Sequence, residues 1–584
     1  MGPFQQRIIL WVSVLSLLFA LALPGVAAAG KPPHPGDKQV DVGRDGMVVT
    51  ATAEASKVGA DVLRKGGNAV DAAVAIQFAL QVSEPMMSGI GGGGFMMVYE
   101  KKTDQVTIVD SRERAPAGAT PDMFLDENGR IIPFAERSTH GNAIGVPGTL
   151  MGLETALQKW GTQPLAELIQ PSITMAEKGV RVNGVLARAI QDHQEKLSRS
   201  EAKDVFLPGG EPLQAGDKLV QKDLAQTFRT IQTNGAHAFY QGEVGEAITA
   251  TVQEYGGTMT AEDLADYRLT IDEPVRGRFQ GYEIVTMPPP SSGGITVLQI
   301  LNKLEQRDIG QYDVRSPEKY HLFAEASRLA YADRGAYIGD PEFVDVPQQG
   351  MLNPDYLSER ATQIELERAN PEVKPGNPWQ FQQSSFAGEP SVQSDDRPIG
   401  ETTHFTVADR WGNVVSYTTT IEQLFGTGIM AEGTGIMLNN ELTDFDARPG
   451  GPNEVQPGKR PMSSMTPTLV FKDGKPVMAL GSPGGATIIA SVAQTILNVL
   501  VYDMDLKEAI EEPRIYTNAY PNIRWEVGIP AAVRADLEAR GHRFDAAPQE
   551  IGNVNAIWIE PKTGRYYGAA DSSREGTAIG IGGK

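Results

Sequence analysis

The chain has 584 residues, 41% of them hydrophobic, with 63 glycines, no cysteine and a net charge of −21. Thiol catalysis, cysteine-ligated zinc, iron–sulfur clusters and disulfide staples are therefore excluded, and a chain this long can bury a core without staples. The acidic balance speaks against nucleic acid, whose binding needs Lys and Arg to neutralise phosphates, and suits an exported protein kept soluble by self-repulsion.

Arg7 precedes an apolar run from Ile8 to Leu23, Pro24-Gly25 breaks it, and Val26-Ala27-Ala28-Ala29-Gly30 supplies small residues. This is the layout of a secretory signal peptide, and the apolar run is short for a bilayer span of roughly 20 residues. Residues 1–29 are expected to be removed, leaving an extracellular or periplasmic protein with no membrane anchor. Beyond them, Gly66-Gly67-Asn68 ends one helix, and Ala69 to Val82 carries Val70, Val74, Phe78 and Val82 at helical spacing until Pro85. The glycine run 89–94 feeds a strand, Phe95 to Tyr99. A phosphate loop runs the other way, from strand through loop to helix, so nucleotide binding is not expected.

Thr149 to Lys178 and Ile248 to Leu264 have helical patterns, and Ser316 to Asp333 reads as a long helix. Pro371 to Gly400 is rich in Pro, Gln, Ser, Asp and Gly and reads as a linker. Strands follow. His404 to Asp409 and Val414 to Thr419 flank the turn Trp411-Gly412-Asn413, and Leu469–Phe471 and Val477–Leu480 flank Asp473-Gly474. Gly481-Ser482-Pro483-Gly484-Gly485 then leads into a helix from Ala486 to Leu500. Helices dominating the first part and hairpins the last predict a layered α+β fold.

No Gly-x-Ser-x-Gly elbow or His-Glu-x-x-His motif is present, and the seven histidines lack metal-ligand spacing. No metal or cofactor is implied. His404 shares a strand face with position 402, but a lone histidine without a placed partner is read as structural. A threonine can act without histidine if the chain is cut just before it. Its new α-amine, with a pKa of about 7.7–8.0, then serves as the base. Glu401-Thr402, between a linker and a hairpin, has that layout. A threonine-rich strand has it too, because Thr favours strands.

The run Thr402-Thr403-His404-Phe405-Thr406-Val407, with Asp409 and Gly412-Asn413, resembles the start of the small subunit of the γ-glutamyltransferases. Further blocks follow in the family's order: 425–428, 438–445, Lys459-Arg460-Pro461-Met462-Ser463-Ser464-Met465 and Gly481 to Gly485. Earlier in the chain, 111–116, 145–149 and 288–294 extend the resemblance over nearly the whole mature length. It implies an N-terminal-nucleophile hydrolase, a four-layer αββα sandwich made as one chain. Self-cleavage at Glu401–Thr402 would give a large subunit, 30–401, and a small subunit, 402–584, held together as a heterodimer sharing one intertwined domain.

The resemblance further implies that Thr402 is the nucleophile, that Thr420 hydrogen-bonds its hydroxyl, and that backbone N–H groups of Gly484 and Gly485 form the oxyanion hole. Arg112 with Ser463 and Ser464 would hold the α-carboxylate of a γ-glutamyl donor, and Glu422, Glu441 and Asp444 its α-ammonium. Donors would be glutathione, glutamine and related compounds, and acceptors amino acids, peptides or water. Two departures stand out. Many members carry Asn where this chain has Glu422, and many have an insertion between the positions of Asp444 and Ser463 that forms a lid. This chain resembles the lidless Bacillus-type members, which leaves poly-γ-glutamate open as a substrate. The alternatives are a poly-γ-glutamate depolymerase, a related acylase or, outside catalysis, a secreted solute-binding protein.

Overall fold

A computed structural model describes residues 39–382 and 400–583. The segment 1–29, expected to be a signal peptide, and most of the expected linker, 383–399, lie outside the described residues.

The hairpin expected after Thr402 forms from strands Thr403–Asp409 and Val414–Thr420, paired from Thr403↔Thr419 to Ala408↔Val414. Its turn is built by Asp409. One carboxylate oxygen accepts from the N–H groups of Trp411 (2.9 Å) and Asn413 (3.0 Å), and the other accepts from the N–H of Ala69 at 2.9 Å. The same side chain thus shapes the turn and satisfies an otherwise unbonded donor at the start of the helix Ala69–Ser83. Around this hairpin lies a seven-stranded antiparallel sheet in the order 577–581, 46–50, 403–409, 414–420, 93–100, 105–110, 270–272. A second seven-stranded antiparallel sheet runs 40–43, 566–570, 555–559, 475–481, 468–472, 282–286, 275–279.

Strand alternation explains how the layers stack. Val48, Met96, Val98, Phe405 and Val407 join one core with the helices Ala53–Arg64, Ala69–Ser83 and Thr149–Trp160. Their neighbours Met47, Val49, Phe95, Met97 and Ala408 point the opposite way, into a second core. That core also contains Leu469, Val470, Leu480 and Ile557 of the other sheet, and the helices Gly293–Gln306, Pro317–Tyr337 and Thr487–Leu500. The order is helix, sheet, sheet, helix, which is the expected αββα sandwich. Both sheets contain strands from before and after residue 402. Among the described residues no helix is long and apolar enough to cross a membrane.

Two helical stretches are more broken than their periodicity suggests. The segment from Thr149 to Lys178 is three helices, 149–160, 165–168 and 170–178, because Gly161 ends the first and Pro164 and Pro171 sit at the starts of the next two. Likewise Ile248 to Leu264 divides into Glu243–Glu254 and Ala261–Ala265 around Gly256-Gly257, where Gly256 has φ 82°.

Candidate active site

The glycine run 89–94 brings the first and last parts of the chain together. A Cβ on Gly92 would lie 2.0 Å from the Thr420 carbonyl oxygen, and one on Gly93 would lie 2.3 Å from a carboxylate oxygen of Glu113. No side chain fits there, so the run serves close backbone approach rather than phosphate binding. Asn439 completes the joint: its amide donates to the carbonyls of Gly91 (2.8 Å) and Gly145 (2.9 Å), and its oxygen accepts from the N–H groups of Gly145 and Glu441.

Thr402 is buried, immediately precedes the strand Thr403–Asp409 and lines the cleft. Its hydroxyl donates to Thr420 Oγ1 at 3.4 Å. Thr420, at the end of the partner strand, donates its own proton to the Glu401 carbonyl at 2.8 Å and accepts from the Glu422 N–H at 2.8 Å. Glu422 adopts φ 78°, left-handed backbone that a residue with a side chain rarely takes, and its carbonyl accepts from the Glu401 N–H at 2.6 Å. The Glu401 carboxylate pairs with Arg574 at 2.7 Å, which also holds Glu550 at 2.9 Å. From the facing sheet, the strand Lys475–Gly481 leads through Ser482-Pro483 to Gly484 (φ 121°) and Gly485 (φ 51°). A Cβ on Gly485 would meet the backbone nitrogen of Gly400 at 2.6 Å. Gly485 lines the cleft with Thr402 and Thr420, and Gly484 precedes it in the turn.

Deeper in the same cleft, the Arg112 side chain is 1% exposed. Its guanidinium donates to Glu441, to Asp444 at 2.6 Å, and to the carbonyls of Pro461 (3.1 Å) and Met462 (3.3 Å). Glu113 lies 3.9 Å from it. Burial, and then the neighbouring Glu441 charge, push Glu113 well above the usual carboxylate range. Burial also pushes Glu441 up, against the pull of Arg112. Ser463 and Ser464 are delivered by the segment before them. Arg460 is buried between Asp110 and Asp340, at 2.6 Å from each, and Ser463 is fixed by N–H donation to the Pro290 carbonyl at 3.0 Å.

The cleft therefore gathers Arg112, Glu401, Thr402, Thr420, Glu422, Glu441, Asp444, Ser463, Ser464 and Gly485 from elements far apart in sequence. It also contains residues that motif reading passed over: Arg334, Tyr516, Asn518 and Arg524. Arg334 falls in the last turn of the helix Pro317–Tyr337, where a basic residue is unremarked. Tyr516 and Arg524 face each other across a two-strand pairing that carries no motif.

His404 stands apart from the cleft. It is fully buried, bonded through Nδ1 to Thr418 Oγ1 at 2.8 Å, and packed against Gly481, where a Cβ would lie 2.3 Å from its ring. Burial alone pushes it down to about 3. A ring that stays neutral and has no access to the cleft is structural.

Two antiparallel sheets between helical layers, with a strand-initiating threonine at the end of the cleft between them, define an N-terminal-nucleophile hydrolase. The family model for gamma-glutamyltranspeptidase matches residues 55–581. The chain is 62% identical over 567 residues to the glutathione hydrolase proenzyme of Bacillus subtilis (strain 168), covering 97% of both chains. It is 40% identical to the glutathione hydrolase proenzyme of Escherichia coli (strain K12), covering 96% of this chain and 97% of that one. Among solved structures, the cephalosporin acylase from Bacillus halodurans superposes with a TM-score of 0.83 at 27% identity, covering 95% of this chain and 99% of that one. The chain belongs to the gamma-glutamyltranspeptidase family.

Proposed function

We propose that the protein is an exported, self-processing γ-glutamyltransferase and glutathione hydrolase. The reading is carried by the Thr402–Thr420–Glu401 arrangement, in which a threonine hydroxyl lies beside a carbonyl already polarised by a second hydroxyl. In maturation, Thr402 Oγ1 bonds to the Glu401 carbonyl carbon, the C–N bond breaks, and the nitrogen leaves as the Thr402 amine. Water then hydrolyses the ester, leaving a carboxylate on Glu401. Residues 30–401 and 402–584 stay associated because both sheets draw strands from each.

In turnover, the freed amine takes the proton of the Thr402 hydroxyl as that hydroxyl attacks the γ-amide carbonyl of the donor. Gly484 and Gly485 supply backbone N–H groups to the oxyanion, where fixed donors are worth about 10²–10³ in rate. The amine returns the proton to the leaving nitrogen, and the γ-glutamyl ester on Thr402 passes to water or to an acceptor amine. Arg112, Ser463 and Ser464 hold the donor's α-carboxylate, a geometry a planar guanidinium matches. Glu422, Glu441 and Asp444 hold its α-ammonium. A pocket offering both signs side by side favours a γ-glutamyl donor over an acylase substrate that lacks the ammonium.

The test is to purify the precursor and follow it on a denaturing gel, with N-terminal sequencing of the smaller band and glutathione turnover measured in parallel. A small fragment beginning at Thr402, with turnover appearing as it accumulates, is expected. An intact chain with bound solute and no turnover overturns the proposal in favour of a binding protein.

A further inference from the structure

Arg334 lines the active-site cleft, is 9% exposed, and has no carboxylate within ion-pair distance among the described residues. This is unusual, because an uncompensated buried charge is costly. The fully buried arginines nearby are matched: Arg112 by Glu441 and Asp444, Arg460 by Asp110 and Asp340, Arg360 by Asp333. Placement in the last turn of a helix favours a cation, and the guanidinium lies 5.7 Å from the ring centre of Tyr331 on the same helix, but its hydrogen bonds go to other segments. Its Nε donates to Ser292 Oγ at 2.7 Å and its Nη2 to Ser464 Oγ at 3.0 Å.

An arginine can only donate, so these bonds have a fixed direction. Ser292 accepts from Arg334 and passes its own proton to the Ser463 carbonyl at 2.6 Å. Ser464 also accepts from Arg334, and its hydroxyl proton is then directed elsewhere, with the cleft on its open side. Arg112, in the same cleft, is already held by two carboxylates, Glu441 and Asp444.

We propose that Arg334 is a positioning residue for the donor's α-carboxylate: it aims the Ser464 hydroxyl at that carboxylate and adds a second positive charge to that of Arg112, which Glu441 and Asp444 already share. The proposal rests on the γ-glutamyl donor reading above and adds a residue to that pocket. Its substrate consequence is specific. Arg334 senses the α-carboxylate and is indifferent to the α-ammonium and the scissile amide.

The experiment compares γ-glutamyl p-nitroanilide with 4-aminobutyryl p-nitroanilide, which keeps the ammonium and the amide but lacks the α-carboxylate. Arg334→Gln is expected to lower kcat/KM on the γ-glutamyl compound by about 10- to 100-fold, the range for a lost charge-assisted bond, chiefly through KM. On the 4-aminobutyryl compound it is expected to change kcat/KM by less than about threefold. In a Ser464→Ala background the Arg334→Gln effect should shrink, since residues acting through one another are not additive. Equal losses on both substrates, or no loss on either, overturn the proposal. If Arg334→Gln fails to mature, Arg334→Lys is read by the same ratio: retained preference for the γ-glutamyl compound supports a charge role, and loss on both compounds overturns it. A wild-type enzyme with no preference for the γ-glutamyl compound overturns the donor reading itself, which separates that failure from this one.

Discussion

Thr420 donates its hydroxyl proton to the carbonyl oxygen of Glu401 at 2.8 Å while accepting the proton of Thr402 Oγ1 at 3.4 Å. On the proposed function, one side chain thus polarises the bond to be cut and orients the group that cuts it. Removing the hydroxyl while keeping the shape separates these roles from packing. Thr420→Val should leave most of the precursor uncut under conditions where the wild type matures, with a rate loss of about 10²–10³, the usual cost of one oxyanion donor. Thr420→Ser should mature, and Thr402→Ala should remain full length. Time courses on denaturing gels measure all three. Normal processing of Thr420→Val would show that the contact is incidental.

Arg112 gives a second prediction, because its guanidinium spans Glu441 and Asp444 while also holding the Pro461 and Met462 carbonyls. A lysine keeps the charge but cannot reproduce that fork. Arg112→Lys should raise KM for γ-glutamyl substrates by about ten- to a hundredfold, from lost charge-assisted bonds of about 1.5–3 kcal/mol, while self-cleavage continues because no free donor is involved. Arg112→Ala should also lower thermal stability, since it strands two acids in a cleft; breaking such a buried pair costs about 3–5 kcal/mol. An unchanged KM in both variants would remove Arg112 from the donor pocket.

A third prediction concerns pH and lies outside the cleft. His321 Nε2 meets the Glu365 carbonyl at 2.6 Å, so it must donate; Nδ1 then accepts from His542 Nε2 at 2.7 Å. The pair is held neutral. Burial first, and then Arg328, His321 and Arg540, push His542 down to about 2. In the unfolded chain its pKa is about 6.5. Below that value the unfolded state binds a proton that the folded state refuses, so the contribution is complete above about pH 6.5 and is lost as pH falls. The slope is about 1.4 kcal/mol per pH unit for one such group. Thermal unfolding between pH 7 and 5 should show this loss, and His542→Gln should flatten it. A variant as acid-sensitive as the wild type would place the sensitivity elsewhere.

Much of this architecture was legible because local chemistry forces it. The Asp409 to Asn413 turn, the Ser316 cap of the helix Pro317–Tyr337 and the Asp473-Gly474 hairpin depend on near neighbours, so a linear reading finds them. The assembly of the cleft was legible only through family motifs. Nothing local in Ser463 indicates that Arg460, pinned by Asp110 and Asp340, delivers it to Arg112. Arg334 escaped both routes, since its helix position suits any basic residue and its role comes from Ser292 and Ser464, 42 and 130 residues away. The breaks at Gly161 and Gly256 were missed for a different reason: apolar spacing continued across them while the backbone did not.

The last prediction concerns substrate size. The short segment between Asp444 and Ser463 contributes no residue to the cleft lining. Phe445 and Val455 bury themselves against Phe124 and Leu442, and Asn453 ties the segment down by donating to the Asp444 carbonyl at 2.7 Å and accepting from the Met462 N–H at 2.9 Å. A lid would close a site against bulky leaving groups, and this segment is anchored away from that position. On the proposed function, an uncovered leaving-group side should admit a long chain, and Arg524, which lines the cleft with Asn518, suits an anionic one. The proposed donor pocket would still require a free α-ammonium and a free α-carboxylate beside a γ-amide. In γ-linked polyglutamate only the amino-terminal unit has all three, because every internal nitrogen is acylated. The enzyme should therefore release glutamate one unit at a time from the amino end of the polymer, as well as from glutathione. Incubation with purified polymer, following free glutamate and polymer length together, should show steady glutamate release with slow shortening. Turnover of glutathione with the polymer untouched would refute the open site, and rapid mid-chain scission would identify a depolymerase instead.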